Sequence, residues 1–475
     1  MHQINRDILK LAVPSILANI TVPIVGMVDI AVAGHLDASA ATLIGGIAVG
    51  SMLFDLLYWN FGFLRVGTGG LTAQAFGKKD WRECARILTR ALGMSLAIAC
   101  CLLLIQWVFV KAAFLVVDCS PEVQDLASEY FFIRIWAAPA TLSLMALKGW
   151  FIGMQDSVSP MVTDFVVNGM NILMSVALAL GIVLPAMGFP GIALGTVLAQ
   201  YSGLLVALLI IAFKYRRKVF ADMALADLRG VFRGGETRRF FVMNADLFVR
   251  SLCFIAIYIG FTVISARYGD LLLAVSSIMM KILMIFSYFT DGFAYAGEAM
   301  TGRYIGAGDP VNLRKTVRWT FIWSMGLALL FIAIYHFGGV YLLRMMTSDA
   351  AVVEASRDFL PWLILMPVVG CAAFTWDGIF IGATGSREMR NSMLWSVVAF
   401  AAVWFIGITL LSALGPDAAG AATSVSPAQT VQATSGTTPY GIIAMHILMA
   451  AYFAHLLART IYLTLKSRTV VRLSK

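Results

Sequence analysis

Long apolar segments separated by short polar ones run through the whole 475-residue chain. Each segment has about 20 residues or more, the length that an α-helix needs to cross the hydrocarbon core of a bilayer. Continuous runs of this length disfavour barrel strands, which alternate over about ten residues. The pattern predicts an all-α polytopic membrane protein with twelve transmembrane helices, at about 8–33, 41–72, 85–110, 126–152, 160–184, 190–213, 242–265, 271–303, 316–342, 355–382, 391–414 and 440–465.

The positively charged residues divide unevenly between the predicted connections. Most Lys and Arg residues lie in the two terminal tails and in the connections on the same side of the membrane. The opposite connections hold few basic residues, namely Lys111, Arg134, Arg267, Arg344 and Arg357. Because Lys and Arg are retained in the cytoplasm, the bias predicts a multi-pass protein of the bacterial cytoplasmic (inner) membrane with both termini cytoplasmic.

Composition narrows the class of protein further. The chain is 60% apolar and 13% charged, whereas soluble proteins are about 45–50% apolar and about 25% charged. These values exclude a soluble enzyme, a disordered chain and a disulfide scaffold. The net charge of +9 does not indicate nucleic acid, since the basic residues follow the topology and face anionic lipid. The motifs GxxxxGK[ST] and HExxH are absent, so neither an enzyme nor a resident cofactor is expected.

An internal repeat divides the chain into two halves. The segment 77–80 (GKKD) recurs as 306–309 (GAGD), and the segment 149–153 (GWFIG) recurs as 378–382 (GIFIG), both with a shift of 229 residues. Each half has an even number of predicted spans, so the two halves share one orientation. Parallel repeats of this kind in transporters bind cargo near the midplane between the halves.

The longest basic connection marks the boundary between the halves. We predict an N-lobe at 1–213, a cytoplasmic linker at 214–241 and a C-lobe at 242–475. The segment 415–439 is a low-complexity outer loop of Gly, Ala, Ser, Thr, Pro and Gln, to which no function is assigned. Asp246 and Arg250, one turn apart at the start of the seventh span, are expected to form an interfacial salt bridge.

Charged residues within the predicted spans are candidates for function, because each costs a few kcal/mol in hydrocarbon. They are Asp29, Asp55, Arg65, Lys148, Lys281, Asp291, Glu298 and Asp377. Asp29 follows Pro14 and Pro23 in the first span. Proline removes helix hydrogen bonds, so this span can bend near the carboxylate. The alternative is a structural carboxylate near the outer end of the span.

The fifth predicted span carries a polar stripe. Asp164, Asn168, Asn171 and Ser175 are four, three and four residues apart, so they share one helical face. Thr196 is the corresponding polar residue of the sixth span. These side chains can serve a transported ion, or they can bond between helices, and the sequence leaves both interpretations open.

The other charges suggest the wall of a substrate cavity. Asp291 and Glu298 are seven residues apart on one face of the eighth span, and Lys281 and Arg65 are candidate partners. Lys148 and Asp377 occupy equivalent repeat positions with opposite charge, so the two lobes are expected to present cavity walls of different sign. For Asp291 and Glu298 the alternative is buried ion pairs that fix the register of helices. For Lys148 and Asp377 the alternative is that each residue pairs locally.

At these residues the sequence resembles the multidrug and toxic compound extrusion family, in its DinF-like branch. The matching segments extend over nearly the whole chain in order, at 28–35 (VDIAVAGH), 62–74, 149–156 (GWFIGMQD), 191–200 (GIALGTVLAQ), 291–298 (DGFAYAGE) and 377–385 (DGIFIGATG). The resemblance implies two pseudo-symmetric six-helix lobes around a central cavity, and export of lipophilic, often cationic compounds driven by protons or sodium.

The resemblance also assigns residues. The family's coupling Asp on the first helix matches Asp29, and its polar neighbours match Asn171, Ser175 and Thr196. The family has an Asp where this chain has Ser175. A hard cation favours carboxylate ligands, so a sodium site at Asp29, Asn171 and Thr196 is weakened and proton coupling is favoured. The family's acidic residue on the tenth helix matches Asp377.

The sequence therefore predicts a monomeric secondary antiporter that exports small lipophilic or cationic substrates by alternating access, with membrane lipid as its other partner. The predicted coupling site consists of Asp29, Asn168, Asn171, Ser175 and Thr196. The predicted substrate cavity contains Arg65, Lys148, Asp291, Glu298 and Asp377. A lipid-linked oligosaccharide flippase of the same superfamily is the alternative, but it needs a cationic cavity, and the predicted pocket charges are mostly acidic. A non-transporting scaffold is disfavoured by the buried acids and the repeat.

Overall fold

The computed structural model describes residues 2–34, 40–115, 117, 119–181, 185–220, 231, 235–347, 349–413 and 439–472. Within these ranges the chain is helical and contains no β-strand. The helices are α1 (His2–Gly34), α2 (Ala40–Trp59), α3 (Phe63–Gly77), α4 (Trp81–Phe114), α5 (Pro121–Arg134), α6 (Ala138–Gly153), α7 (Val158–Leu180), α8 (Phe189–Ile210), α9 (Arg216–Val219), α10 (Gly235–Ala266), α11 (Asp270–Gly306), α12 (Pro310–Met346), α13 (Ala350–Arg357), α14 (Leu360–Gly382), α15 (Ser386–Ala413) and α16 (Pro439–Arg472).

The described residues contain twelve helical stretches that are long and apolar enough to cross a bilayer, which confirms the predicted number of spans. Two spans are interrupted by a 3₁₀ turn, at Asn60–Gly62 between α2 and α3 and at Ile135–Ala137 between α5 and α6. The predicted span at 355–382 was wrong at its start. There α13 ends at Arg357, and α14 begins at Leu360 with a proline in its first turn, where proline needs no helix hydrogen bond.

The repeated segments 77–80 and 306–309 build the same turn between two helices. Lys79 and Gly308 both adopt positive φ, at 59° and 65°. The next residue in each half, Asp80 or Asp309, caps the following helix by accepting the backbone N–H three residues later, at 2.9 Å and 3.0 Å. The repeat in the sequence therefore encodes a left-handed turn position and an N-cap, which together end one span and begin the next.

In the second repeated segment, the first glycine packs directly against the backbone of a neighbouring helix. A Cβ atom at Gly149 would lie 2.1 Å from the carbonyl oxygen of Arg65, and a Cβ at Gly378 would lie 2.1 Å from that of Ala294. All four residues are related by the 229-residue shift. The two halves therefore share the same close helix contact, of α6 with α3 and of α14 with α11, which the small residues permit.

The two lobes meet where α3 and α11 end. A Cβ at Gly77 would lie 2.1 Å from the carbonyl oxygen of Arg303, and a Cβ at Gly306 would lie 2.0 Å from that of Gln74. The two contacts are related to each other by the repeat, as expected for a pseudo-twofold axis between six-helix lobes. Buried side chains of both halves share one core cluster at this end, whereas the rest of the C-lobe has its own core.

Helix α1 contacts both lobes. In the first half of α1, the side chain of Ile16 would lie 2.4 Å from a Cβ placed on Gly292 of α11. Asn19 donates a hydrogen bond to the backbone carbonyl of Tyr288 in α11, at 3.1 Å. Helix α1 also packs against α7 of the N-lobe, and Pro23 lies inside the helix between Asn19 and Asp29. A bend at this proline would change the packing of one lobe relative to the other.

The chain after α8 is tied to the N-lobe by Asp156. Its carboxylate accepts hydrogen bonds from Lys214 at 2.8 Å and from Tyr215 at 2.6 Å, and it also contacts the hydroxyl of Ser159. Burial alone would raise the pKa of Asp156, but these hydrogen bonds outweigh it and lower the pKa below its usual value. The predicted domain limits at 213 and 241 stay a prediction, because 221–230 and 232–234 lie outside the described residues, as does the predicted outer loop apart from residue 439.

Candidate transport site

Asp29 lies in the interior of the N-lobe. It is 6% exposed, and its Oδ1 atom has no hydrogen-bond partner among the described residues. The hydroxyl of Ser175 on α7 faces this carboxylate. A buried acceptor without a donor is costly, so Asp29 has an oxygen available for a proton or another ligand.

The polar stripe of α7 contacts α8 next to Asp29. Asn171 donates a hydrogen bond through Nδ2 to Oγ1 of Thr196, at 2.9 Å, while its own Oδ1 has no partner among the described residues. The helices approach closely, because a Cβ at Gly195 would lie 2.6 Å from the backbone nitrogen of Ser175. Asp29, Asn171, Ser175 and Thr196 are therefore brought together by α1, α7 and α8.

Asn168 makes a different contact from the rest of the predicted coupling site. Its Nδ2 donates to Oγ1 of Thr21 on α1, at 2.5 Å, and Thr21 in turn donates to the carbonyl of Ala18. Asn168 therefore links α7 to the segment of α1 that precedes Pro23. It lies one turn before Asn171 on the same helix, and the structure gives it a bond to α1 that the sequence could not specify.

Arg134 is a residue that the sequence interpretation missed. The count of basic residues places it on the outer side, although the predicted span at 126–152 includes it. In the structure it ends α5 and is only partly exposed. Its guanidinium lies over the ring of Phe54, 4.7 Å from the centroid, and interacts electrostatically with both Asp29 and Asp55. Asp55 also interacts with Lys281 of α11. The N-lobe acids thus share a basic neighbour from the same lobe.

A second polar region lies between the lobes. A cavity of about 100 Å³ is bounded by α3, α10, α11 and α14. Its polar lining comprises Arg65, Arg250, Asp291, Tyr295, Glu298 and Asp377. Four of the five predicted cavity residues therefore line one cavity, and the fifth, Lys148, interacts electrostatically with Arg65 and Tyr295 at its edge.

Arg65 and Glu298 form an ion pair between the lobes. Nη1 of Arg65 lies 3.0 Å from Oε2 of Glu298, and the guanidinium lies 4.4 Å from the ring centroid of Tyr295. The Glu298 side chain is fully buried, and its other oxygen has no partner among the described residues. The predicted partnership of these two charges is therefore present in the structure.

Asp377 is held between two arginines. Its carboxylate contacts Arg250 of α10 and accepts a hydrogen bond from Arg459 of α16 at 2.6 Å. The expected Asp246–Arg250 salt bridge was wrong. Asp246 instead pairs with Arg390 of α15, with Nη1 and Oδ1 2.5 Å apart. The two side chains share a helix face, but each turns to a different neighbouring helix that offers a closer partner.

Lys148 and the charge balance of the cavity also differ from the prediction. Nζ of Lys148 lies 2.7 Å from Oδ2 of Asp164, so this lysine pairs within its own lobe. The expectation that the pocket charges are mostly acidic was wrong, because Arg65, Arg250 and the neighbouring Arg459 accompany the three acids. The positive and negative charges of the cavity are therefore balanced. The cavity is not the strongly cationic site that a flippase for lipid-linked sugars needs.

Metal coordination finds no support in the part of the chain that the structure describes, where no group of three or more His, Cys, Asp or Glu side chains is arranged to hold a metal ion. The two polar regions are instead a buried carboxylate network within one lobe and an ion-paired cavity between two repeated lobes. A twelve-span helical bundle with such a cavity between two repeated halves is typical of a secondary membrane transporter.

Comparison with known proteins gives the family. The MatE family model matches residues 14–177 and again 247–408, once in each half. The chain is 37% identical over 398 residues to DNA damage-inducible protein F of Escherichia coli (strain K12), covering 84% of each protein. The chain belongs to the MatE family of efflux transporters, as the resemblance in the sequence indicated.

More distant relatives agree with this assignment. A probable multidrug resistance protein NorM of Photorhabdus laumondii is 24% identical over 416 residues, covering 85% of this chain and 86% of the relative. The fold matches a solved multidrug resistance MATE family transporter of the MOP superfamily in its outward-facing conformation, with a TM-score of 0.80 and 15% identity over 99% of this chain and 97% of that one. It also matches a MATE structure in the bent conformation, with a TM-score of 0.78 and 14% identity over 99% and 98% of the two chains.

Proposed function

We propose that this protein is a proton-coupled antiporter of the bacterial cytoplasmic membrane that exports small lipophilic or cationic compounds by alternating access. The observation that carries the proposal is Asp29, a buried carboxylate with an unpartnered oxygen in the polar network of α1, α7 and α8. The basic residues of the loops support a topology with both termini in the cytoplasm. We further propose that the protein acts as a monomer and needs no bound cofactor.

Protonation of Asp29 changes the hydrogen bonding of its network. The ionised carboxylate only accepts hydrogen bonds, whereas the protonated form supplies one donor. Ser175 faces this carboxylate, and Oδ1 of Asn171 is a second acceptor without a partner among the described residues. A proton on Asp29 would therefore remove a buried charge and provide a donor where acceptors are in excess. The bonds that hold α1 against α7 would then rearrange.

Helix α1 can transmit this change to the other lobe. Pro23 lies between the part of α1 that packs on α11 and the part that carries Asp29. Because proline leaves a helix carbonyl without its usual donor, α1 bends there at low cost. In the proposed cycle, proton binding from outside bends α1 and releases cargo outward, and the return to the inward-facing state releases the proton to the cytoplasm.

Protons are favoured over sodium by the ligands of the N-lobe network. Asp29 is the only carboxylate of the predicted coupling set, and Ser175 stands where the family has an Asp. A hard cation would have to rely on Oδ1 of Asn171 and on Oγ1 of Thr196, which already accepts a hydrogen bond from Nδ2 of Asn171. A proton needs only one carboxylate oxygen. Each pH unit supplies about 1.4 kcal/mol, and 100 mV adds about 2.3 kcal/mol per charge.

The test is transport by the purified protein in liposomes. Export of ethidium is measured under an imposed pH gradient and, separately, under a sodium gradient, for the unaltered protein and for Asp29→Asn. We expect the pH gradient to drive transport and Asp29→Asn to abolish it. Asp125→Asn, at an exposed aspartate of α5 in the same lobe, serves as a matched control. Normal proton-driven transport by Asp29→Asn, or transport driven by sodium alone, would contradict the proposal.

A further inference from the structure

Asp55 of α2 and Lys281 of α11 are opposite charges on opposite lobes. Both side chains are exposed, although both lie within helical stretches that are long and apolar enough to cross a bilayer. They interact electrostatically, yet neither has an ion pair within 4.0 Å or a hydrogen bond with any residue in the described ranges. Lys281 is therefore not the partner of Asp291 or Glu298 that the sequence suggested. Because a charge is costly in hydrocarbon, the two side chains face water between the lobes.

The repeat places these two charges at nearly the same depth on either side of the pseudo-twofold axis. With the shift of 229 residues, Asp55 corresponds to Met284, and Lys281 corresponds to Met52. Each charge therefore lies three residues, less than one helical turn, from the equivalent of the other. A motion that brings α2 and α11 together about this axis brings the two charges together as well.

The two lobes are in contact at one end of these helices and separate towards the other. Helix α3 packs along α11, and the contacts of Gly77 and Gly306 close the end that the proposed topology places in the cytoplasm. Helix α2 leads away from that end beyond the turn at Asn60–Gly62, and among the described residues it has no comparable contact with α11. The space between α2 and α11 is therefore a cleft, and Asp55 and Lys281 lie on its opposite walls.

Contacts between the lobes begin one or two turns deeper than these charges. Trp59, one turn after Asp55, packs edge-on against the ring of Tyr258 of α10, with the centroids 5.1 Å apart. Tyr288 lies two turns after Lys281, and its backbone carbonyl accepts the hydrogen bond from α1. A pivot of the lobes about these deeper contacts would close the cleft at the level of the two charges.

We propose that Asp55 and Lys281 form the outer gate of the transporter, the contact that seals the cleft from the outside. The two side chains are apart while the cleft is open, and they pair across it when the lobes close in the inward-facing state. An unpaired charge enclosed by closure would be costly, and the opposite charge removes that cost. This inference rests on the proposed function, since it names a contact that alternating access makes and breaks.

Arg134 is the other cation that acts on Asp55, but it belongs to the same lobe. Its guanidinium lies over the ring of Phe54 and donates a hydrogen bond to the hydroxyl of Tyr130, at 3.0 Å. Arg134 therefore moves with Asp55 when the lobes rotate, and it cannot hold one lobe to the other. Lys281 comes from the opposite lobe and can do so.

Charge variants test the pairing by ethidium export from liposomes under a pH gradient. We expect Asp55→Asn and Lys281→Gln each to slow export about tenfold, because each leaves the opposite charge unpaired when the cleft closes. The double variant should lose only a few-fold, since it leaves neither charge behind. Reversal of both charges, Asp55→Lys with Lys281→Asp, should restore export that either reversal alone abolishes. Asp125→Asn, at an exposed residue of α5, is the control. Losses that multiply in both double variants would overturn the proposal.

A cross-link detects the closed gate directly. The full-length protein with Asp55→Cys and Lys281→Cys is treated in nanodiscs with a short, reducible bis-thiosulfonate linker, and the linked peptides are identified by mass spectrometry. We expect a link between residues 55 and 281, and we expect the linked protein to be arrested in transport until the linker is reduced. Each single cysteine variant, which retains the six native cysteines, is the control. Absence of this link, or continued transport by the linked protein, would overturn the proposal.

The two proposals fail separately, because the link is detected by mass without any gradient. A protein that forms the link but uses no proton gradient would contradict the proposed coupling and support the gate. Proton-driven export that is the same in Asp55→Asn, Lys281→Gln and the unaltered protein would overturn the gate and leave the proposed coupling in place.

Discussion

Gly69 and Glu298 occupy equivalent positions in the two halves of the chain, and they face each other where α3 and α11 cross. A Cβ atom at Gly69 would lie 1.9 Å from Oε1 of Glu298. The glutamate of one half therefore fills the space that its counterpart in the other half leaves empty. The positions one turn earlier show the reverse, with Arg65 in the first half and Ala294 in the second. Large and small residues alternate across the pseudo-twofold axis, and this asymmetry allows one ion pair to form between the lobes.

We expect Gly69→Ala to break the contact between the lobes. The new methyl group would overlap the Glu298 carboxylate. It cannot move away, because the carbonyl oxygen of Gly149 lies 3.2 Å from the added atom, so the carboxylate must be displaced from Arg65. Overpacking of this kind costs about 1–3 kcal/mol, which thermal unfolding in detergent would detect. Gly169→Ala, where the added atom meets nothing within 4 Å, should be neutral or slightly stabilising.

A double-mutant cycle sharpens this prediction. Gly69→Ala and Glu298→Ala both destroy the same ion pair, so their effects on stability should not add. Additive losses in the double variant would show that Gly69 acts through a contact other than Glu298.

The sequence predicted the architecture because the features that specify the spans and the turns are local along the chain. Apolar run length specifies the spans, and the shift of 229 residues locates equivalent turns such as those at Asp80 and Asp309. Helical spacing also placed Asn171 and Ser175 on one face. The partners of the charged residues could not be predicted in this way. Asp246 and Arg250 satisfy the spacing of a salt bridge, yet the helices beside them supply Arg390 and Asp377 at shorter range.

Arg134 illustrates the same limit, and it yields a prediction. It ends α5 next to an interruption of the helix, and its neighbours Phe54 and Asp29 come from other helices, which the spacing along the chain does not specify. We expect Arg134→Gln to reduce proton-driven transport at least about tenfold, because the N-lobe acids lose their shared positive neighbour. Arg134→Lys keeps the charge and should retain much more activity. Equal transport by the glutamine variant and the unaltered protein, measured in liposomes, would contradict a role for this charge.

The identity of residue 175 should determine the coupling ion. We expect Ser175→Asp to make transport responsive to a sodium gradient, because it places a second carboxylate beside Asp29 and near the oxygens of Asn171 and Thr196. Ser175→Ala tests whether loss of the hydroxyl alone has this effect, and we expect no sodium response from it. Sodium-driven transport by the unaltered protein, at a magnitude equal to that of Ser175→Asp, would show that the serine does not exclude sodium.

Asp156 should make the stability of the protein depend on pH. Hydrogen bonds from Lys214, Ser159 and Tyr215 outweigh the effect of burial and lower the pKa of this carboxyl in the folded protein. A carboxyl with a lowered pKa contributes stability that is fully present above its unfolded pKa of about 3.9 and is lost as the pH falls through the folded value.

We therefore expect Asp156→Asn to destabilise the protein by about 1–3 kcal/mol at pH 7, since hydrogen bonds to a charged acceptor are lost. The difference between this variant and the unaltered protein should shrink as the pH falls below about 4. Thermal unfolding in detergent at several pH values measures both quantities, with Asp125→Asn as the exposed control. A difference that stays constant between pH 7 and pH 3 would mean that Asp156 stabilises the N-lobe by its shape and not by its charge.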